Sequence, residues 1–160
     1  MHKIKVAGYV KLAKLWNTNK NKALIYHNEY YKNKYSEIND FELINVYVDI
    51  TGKKEIYKRP EMIKLLNDCI NGKVDCIATQ TKAYLAPNIL EMCFLLLFLL
   101  DANIDIITED EIYNINTLIN EDNQKQELYN MAQKYVSINS YEYKSWNNKI
   151  YKAIEHINYN

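Results

Sequence analysis

The chain has 160 residues, of which 48% are hydrophobic and 25% are charged, so it can form one globular domain with a substantial core. Twenty Lys and Arg residues balance 20 Asp and Glu residues, which argues against the strongly basic surface that is typical of nucleic-acid-binding domains. Arg59 is the only arginine, which also argues against chemistry or recognition that needs several guanidinium groups.

The first two thirds of the chain alternate between strand and helix patterns. Apolar and β-branched runs predict strands over 3–10, 41–48, 74–78 and 104–107. Apolar residues at helical spacing predict helices over 21–36, from Pro60 to the stop at Gly72, and over 89–101. This alternation predicts an α/β fold with a mostly parallel central sheet of four to five strands and helices on both faces.

Functional groups in such sheets collect beyond the carboxyl ends of the strands. Here those ends are the loops at 10–14, 49–52, 79–84 and 108–111. We therefore expect any binding or catalytic site to lie in these four loops.

The C-terminal part of the sequence predicts further helices. A helical pattern over 112–136 is interrupted by polar residues 120–127, and an amphipathic helix follows within 137–160. We expect residues 1–136 to form the α/β domain with a long C-terminal helix and residues 137–160 to form a helical tail. The tail's apolar face could pack on its own domain or face a partner; its members are Tyr143, Trp146, Ile150, Ala153, Ile154 and Ile157.

The cysteines and the most apolar segment indicate the compartment. Cys69, Cys76 and Cys93 lack the spacing of metal ligands, and an odd number of cysteines in apolar surroundings favours buried free thiols in a reducing compartment. The apolar run 89–100 is shorter than the about 20 residues that span a bilayer. Residues 1–10 are too short and polar for a signal peptide. We expect a cytoplasmic protein that does not enter the membrane.

Four landmarks occur in an order that is typical of one family. They are Val6-Ala-Gly-Tyr-Val-Lys-Leu-Ala13, Val46-Tyr-Val-Asp-Ile-Thr-Gly52, the block from Lys58-Arg-Pro-Glu to Asp75-Cys-Ile77, and Thr81-Lys-Ala-Tyr-Leu-Ala-Pro-Asn88. Over about residues 3–120 the chain resembles the catalytic domain of resolvase/invertase-type serine recombinases. The block from Arg59 to Ile77 is the most specific part of the resemblance.

The resemblance implies a site from which the reactive groups are missing. In the family a serine attacks a DNA phosphate, and several arginines stabilise the charge on the transferred phosphoryl group. The positions of the serine and of the altered catalytic residues are occupied here by Lys11, Ala13, Ala83, Tyr84 and Pro87. Asp49 and Arg59 keep the family's residue type. A methyl group cannot attack phosphorus, so the resemblance implies that the family mechanism is lost.

Other candidate groups have weaker support. Tyr84 is one of 15 tyrosines, and Thr18 and Thr51 are equally nonspecific as nucleophiles. The residues 109–111 form an acidic cluster that fits a solvated loop better than a metal site. Arg59 either points into a former phosphate site or, as we favour, caps a loop and pairs with Asp49 or Glu61.

The leading functional hypothesis is a catalytically inactive recombinase homologue that acts as a dimerisation or regulatory domain in the recombination of a mobile element. Its expected partners are a second copy or an active recombinase. No cofactor, metal or small-molecule substrate is predicted, and the residues after 136 are too few for a helix-turn-helix module.

Two alternatives remain open. One is an active strand-exchange enzyme with an unforeseen nucleophile. The other is a weak, nonspecific DNA-binding protein that uses lysines near the strand ends, namely Lys3, Lys5, Lys11, Lys14, Lys20, Lys22, Lys53, Lys54 and Lys58.

Overall fold

The computed structural model describes residues 3–109, 122–138 and 140–159. Its strands are β1 (Ile4–Leu12), β2 (Phe41–Ile50), β3 (Cys76–Thr79) and β4 (Asp105–Thr108). Its α-helices are α1 (Lys20–Tyr35), α2 (Pro60–Ile70), α3 (Ile89–Asp101), α4 (Asp122–Ile138) and α5 (Ser140–Tyr159). Short 3-10 helices cover Lys14–Asn19, Ile56–Lys58 and Lys82–Tyr84.

The strands form one parallel sheet in the order β2-β1-β3-β4. The chain moves from β1 outward to β2 and then crosses back to β3, so the strand order reverses between β1 and β3. In open parallel sheets such a reversal leaves a crevice at the carboxyl ends of the two central strands. The predicted α/β architecture with a parallel sheet is confirmed, with four strands in the described residues.

Each face of the sheet carries its own apolar core. Val6 and Val10 of β1 face α1 and pack with Tyr31 and Tyr35. The backbone at Gly8 lies so close to α1 that a Cβ atom there would sit 2.9 Å from Cγ of Tyr31. Glycine at this position therefore permits the close approach of α1 to the sheet. The prediction that a helix covers this face of the sheet is confirmed.

The opposite face is covered by α2, α3, α4 and α5. The intervening β1 side chains, Ala7 and Tyr9, belong to this larger core. Nearly the whole of α3 is buried, from Met92 to Leu99, which explains why its sequence is apolar on every side. Asn88 caps α3 by accepting a hydrogen bond from the amide of Glu91 at 2.9 Å.

The apolar face of α5 packs into that same core. Trp146, Ile150 and Ile154 are buried in it. The carboxylate of Glu91 on α3 joins the layer, because its Oε1 accepts hydrogen bonds from Nε1 of Trp146 at 3.1 Å and from the amide of Ile56 at 3.2 Å. One buried face of α5 is thus held both by apolar contacts and by a charged acceptor.

Element boundaries differ from the prediction mainly in the polar stretch 120–127. We predicted an interruption of the helix there, but α4 begins at Asp122 and continues to Ile138, so the predicted break is wrong for residues 122–127. Gln, Lys and Glu are good helix formers, so a polar sequence does not by itself end a helix. The remainder of the predicted stretch, 112–121, lies outside the described residues.

The three cysteine thiols are free and buried, as the apolar context predicts. Burial raises the pKa of the Cys69 thiol to about 12, so this group stays protonated and unreactive near neutral pH. Among the described helices, none combines the length and the apolar character that crossing a membrane requires.

Candidate functional site

The candidate site lies where β1, β2 and β3 end at the carboxyl edge of the sheet. Lys11 and Ala13 come at the end of β1, Asp49 lies near the end of β2, and Tyr84 follows β3 by way of a short 3-10 helix. Arg59 immediately precedes α2 at the same edge. The parallel strands therefore bring together the positions that the sequence singled out.

Asp49 is buried and holds the start of α2. Its Oδ1 accepts a hydrogen bond from the amide of Glu61, and its Oδ2 accepts one from the amide of Met62, both at 2.9 Å. These amides belong to the first turn of the helix, where backbone donors have no partner within the helix. A carboxylate at a helix N-terminus also interacts favourably with the helix dipole. Asp49, which lies on β2, thus caps α2 in place of a residue next to the start of that helix.

Tyr9 completes the environment of Asp49. Its hydroxyl donates to Oδ2 of Asp49 at 2.8 Å, and the whole side chain is buried. Burial, followed by the negative charge of Asp49, raises the pKa of the Tyr9 hydroxyl well above its usual range. The hydroxyl therefore remains a proton donor to the carboxylate at all ordinary pH values.

Arg59 is buried, at 1% exposure, and its guanidinium bonds to the protein's own main chain. Nη1 donates to the carbonyl oxygens of Tyr84 at 2.7 Å and Leu85 at 3.1 Å, and Nη2 donates to that of Lys54 at 2.6 Å. The guanidinium therefore ties the loop after β2 to the turn after β3. We call Tyr9, Asp49 and Arg59 the buried cluster.

The expected direct pairing of Arg59 with an acidic side chain is wrong. Within the described residues, the hydrogen bonds of Arg59 go to carbonyl oxygens, while Asp49 binds amides and a hydroxyl. The loop-capping role that we favoured for Arg59 agrees with these contacts. The oxygens of Asp49 accept hydrogen bonds from Tyr9, Glu61 and Met62, while the terminal nitrogens of Arg59 are directed to main-chain carbonyls.

The other five positions form what we call the open rim, namely Lys11, Ala13, Ala83, Tyr84 and Pro87. Ala13 is exposed and directly precedes the 3-10 helix Lys14–Asn19, where its carbonyl accepts from the amide of Trp16 at 3.0 Å. Ala83 and Pro87 are also exposed. These three side chains have no atom that could act as a nucleophile, acid or base.

Of the five residues of the open rim, only Lys11 and Tyr84 have side chains with a polar group. Partial burial, and after it the nearby charge of Arg59, lowers the pKa of the Lys11 ammonium, while Asp49 opposes the shift. Tyr84 is half buried and packs against the apolar cores of both faces. Its ring therefore has a clear structural role at the end of the sheet.

The remaining candidate nucleophiles have local hydrogen bonds. Oγ1 of Thr51 accepts from the amide of Lys53 at 3.0 Å, and Oγ1 of Thr18 donates to the carbonyl of Leu15 at 3.0 Å. Within the part of the chain that the structure describes, neither threonine hydroxyl is hydrogen-bonded to a histidine or carboxylate that would activate it.

The acidic cluster after β4 is described only at Glu109. Its carboxylate accepts from the hydroxyl of Tyr30 and pairs with Lys34, so it fastens α1 to the end of β4. Residues 110 and 111 lie outside the described part. Within residues 3–109, 122–138 and 140–159, no group of three His, Cys, Asp or Glu side chains is arranged to hold a metal ion.

The predicted lysine patch is divided between the two edges of the sheet. Lys3 and Lys5 lie at the start of β1, and Nζ of Lys5 bonds to the carbonyl of Gly72. Lys3 and Lys5 therefore lie at the amino end of β1, and Lys11 lies at its carboxyl end, with the length of the strand between them. The idea of one continuous patch is wrong for these two residues. Of the remaining lysines of the patch, Lys11 lies near the end of β1 and the others follow β1 or β2 in the chain.

Sequence reasoning missed the role of Tyr9 and the link through Glu91. In the sequence, Tyr9 is one of several apolar residues of β1. The alternation of side chains along the strand is the signal that places it on the face of the sheet that α2 covers. Glu91 lies within the apolar run of α3, and a charge in such a run signals a buried polar partner. That signal identifies the residue, but the partner, Trp146, follows only from the packing of α5.

Comparisons with known proteins agree with this architecture. No protein-family model matches the chain. No curated protein matches it. Among solved structures, the N-terminal catalytic domain of TP901-1 integrase superimposes with a TM-score of 0.54 at 18% identity, over 88% of this chain and 97% of that one.

The C-terminal catalytic domain of ISC1926 TnpA, an IS607-like serine recombinase, superimposes with a TM-score of 0.52 at 14% identity, over 84% of this chain and 99% of that one. The chain therefore has the fold of serine recombinase catalytic domains, as the sequence landmarks predict.

Proposed function

We propose, from this shared fold, that the chain is a recombinase-like protein that does not cut DNA and acts by association. Its partner would be a second copy or an active recombinase, whose assembly on a mobile element it would regulate. The observation that carries the proposal is Ala13, an exposed methyl group at the end of β1 where the resemblance implies the nucleophilic serine.

The surroundings of Ala13 support the loss of cleavage independently of the missing hydroxyl. Phosphoryl transfer needs preorganised cations around the phosphate, and removing one such donor typically costs about 3–4 kcal/mol of transition-state stabilisation. The open rim offers only Lys11, and the guanidinium of Arg59 is already bonded to three carbonyl oxygens. Both the attacking oxygen and the charge-stabilising groups are therefore lacking for the family's reaction.

A cleavage assay tests this part of the proposal. Supercoiled plasmid and end-labelled duplex DNA are incubated with the full chain at low salt, and the products are examined for nicks and for covalent protein–DNA adducts. We expect neither product from the natural chain. We also expect neither from Ala13→Ser, because a serine without the arginines has no stabilised transition state.

Nicking by the natural chain would contradict the proposal. If Tyr84→Phe abolished that nicking, the alternative of an active enzyme with an unforeseen nucleophile would be correct. The association itself is measured by light scattering of the chain alone and mixed with active recombinases of the same fold. A strictly monomeric chain that joins none of them would refute the regulatory role.

Weak DNA binding is a second candidate, because several lysines share the carboxyl edge. Lys11 lies near the end of β1, Lys14 follows β1, and Lys53 and Lys54 follow the adjacent strand β2. Contacts of this kind predict retardation of duplex DNA at low salt that falls steeply as salt is added. Lys53→Glu with Lys54→Glu should abolish the retardation, whereas Lys3→Glu with Lys5→Glu, on the opposite edge, should leave most of it.

A further inference from the structure

A groove runs between the start of α2 and the second half of α5, on the side of the sheet away from α1. It encloses about 480 Å³ and is lined by the 3-10 helix Ile56–Lys58, the first turns of α2, and α5 beyond Lys149. We call it the α2–α5 groove. None of its lining belongs to the open rim of the candidate site.

The floor of the α2–α5 groove is apolar. Tyr57, Ala153 and Ile157 are half buried and pack against the core below, so part of each side chain still faces the groove. Ile63 of α2 completes the floor from beneath. Apolar surface that is left open between two helices is typical of a site that a partner's side chains cover.

The rim of the groove is cationic. Four exposed lysines surround the apolar floor: Lys58, Lys64, Lys149 and Lys152. The first two have acidic neighbours within one turn, Glu55 at 3.5 Å and Glu61 at 3.1 Å.

The two lysines of α5 form no such pair, although Glu155 follows Lys152 by three residues on the same helix. Within the described residues, neither Lys149 nor Lys152 forms an ion pair, and Nζ of Lys149 instead lies 5.0 Å from the ring centre of Tyr57. The rim therefore carries a net positive charge, although the whole chain is neutral. Two exposed ammonium groups that form no ion pair, beside an apolar floor, favour a ligand that is both acidic and apolar.

We propose that the α2–α5 groove binds an acidic amphipathic helical segment of a partner protein. The segment's apolar side chains would cover Tyr57, Ala153 and Ile157, and its carboxylates would pair with Lys149 and Lys152. An amphipathic helix laid in an apolar groove is a common mode of peptide recognition. The site requires no activity on DNA and stands or falls independently of the function proposed above.

Two other occupants fit the groove less well. Duplex DNA contacts proteins largely through phosphate oxygens and would leave the apolar floor uncovered. A second copy that docked groove to groove would bring the lysines of both rims together, because a twofold contact pairs each surface with itself. An acidic amphipathic helix satisfies the floor and the rim at once.

The test uses the full chain and a fluorescein-labelled designed helix with Leu and Trp on one face and Glu on the other, followed by fluorescence anisotropy. One control peptide replaces every Glu by Lys, and a second keeps Glu but replaces Leu and Trp by Ser. We expect the acidic amphipathic helix to bind and both control peptides not to bind. Salt should weaken the binding, because the rim lysines are exposed.

Charge-reversal variants locate the binding. Lys149→Glu with Lys152→Glu should weaken binding about tenfold or more, because two attractive contacts become repulsive. The matched control, Lys32→Glu with Lys144→Glu, makes the same change in net charge outside the groove and should alter affinity by less than about twofold. Ala153→Trp, which fills the floor without changing charge, should also weaken binding; thermal unfolding verifies that each variant is folded.

Four results would overturn the proposal. The first is no binding of the acidic helix, and the second is equal weakening by the groove variant and the control variant. The third is binding of a DNA oligonucleotide but not of the helix, with loss in Lys149→Glu/Lys152→Glu, which would assign the groove to nucleic acid. The fourth is self-association that this variant abolishes while the helix does not bind, which would assign the groove to a second copy.

Discussion

The buried cluster and the open rim occupy the same edge of the sheet but differ in how the fold uses them. Asp49 and Arg59, at which the sequence resemblance implies the recombinase residue types, are both almost completely buried. Most of their hydrogen bonds go to the main chain of α2 and of two loops. Ala13, Ala83 and Pro87, at which the resemblance implies altered residue types, have exposed side chains.

We infer that this difference separates residues that the fold requires from positions at which the fold needs no particular side chain. Replacing a buried group leaves its partners unsatisfied in a medium of low dielectric, which costs stability whether or not the protein is an enzyme. Replacing an exposed side chain that touches only substrate has little effect on folding. On this inference the buried cluster has a structural role, which measurements of the free energy of unfolding can test.

The largest effect is expected for Arg59→Met. The variant keeps an apolar stem but removes the donors to the carbonyls of Lys54, Tyr84 and Leu85, and we expect a loss of about 3–5 kcal/mol in the free energy of unfolding. Urea denaturation measures it. Lys58→Met, at an exposed neighbouring position, should change stability by no more than about 0.5 kcal/mol. A loss below about 1 kcal/mol for Arg59→Met would mean that the bonds of the guanidinium do not hold the two loops together.

Asp49→Ala should have the next largest effect. It leaves the amides of Glu61 and Met62 and the hydroxyl of Tyr9 without their acceptor, for an expected cost of about 2–3 kcal/mol. Asp49→Asn should cost less, because the amide keeps one oxygen for the start of α2. Glu42→Ala, on the exposed part of the same strand, is the matched control. Equal stability of Asp49→Ala and the control would exclude a capping role.

Tyr9→Phe should cost about 1 kcal/mol, because it removes one hydrogen bond and retains the ring in the core. Tyr9 and Asp49 share that bond. The double variant Tyr9→Phe/Asp49→Ala should therefore lose less free energy of unfolding than the sum of the losses of the two single variants. Urea denaturation of the four proteins in this cycle gives the coupling. Strict additivity would mean that the hydroxyl does not stabilise the carboxylate.

The sequence is sufficient to predict much of this architecture but not the contacts within the site. The alternation of strand and helix patterns predicts the parallel sheet, and the landmarks around Ala13, Asp49 and Arg59 predict which loops meet at its edge. Asp49 and Arg59, however, are natural ion-pair partners by residue type. Their separate bonds to amides and carbonyls follow from how α2 and the turn after β3 are placed, which depends on packing across the whole sheet.

The smallest effect is expected at the open rim, for Ala13→Ser. Because the side chain is exposed, a hydroxyl there can be solvated, and the free energy of unfolding should stay within about 0.5 kcal/mol of the natural chain. The same change at the fully buried Ala7 should cost more, about 1–3 kcal/mol, because a hydroxyl must leave water for an apolar core. Urea denaturation of both variants compares an identical chemical change at two depths. A clear loss of stability for Ala13→Ser would mean that the fold itself selects alanine at the end of β1, and the distinction between the open rim and the buried cluster would then fail at its central position.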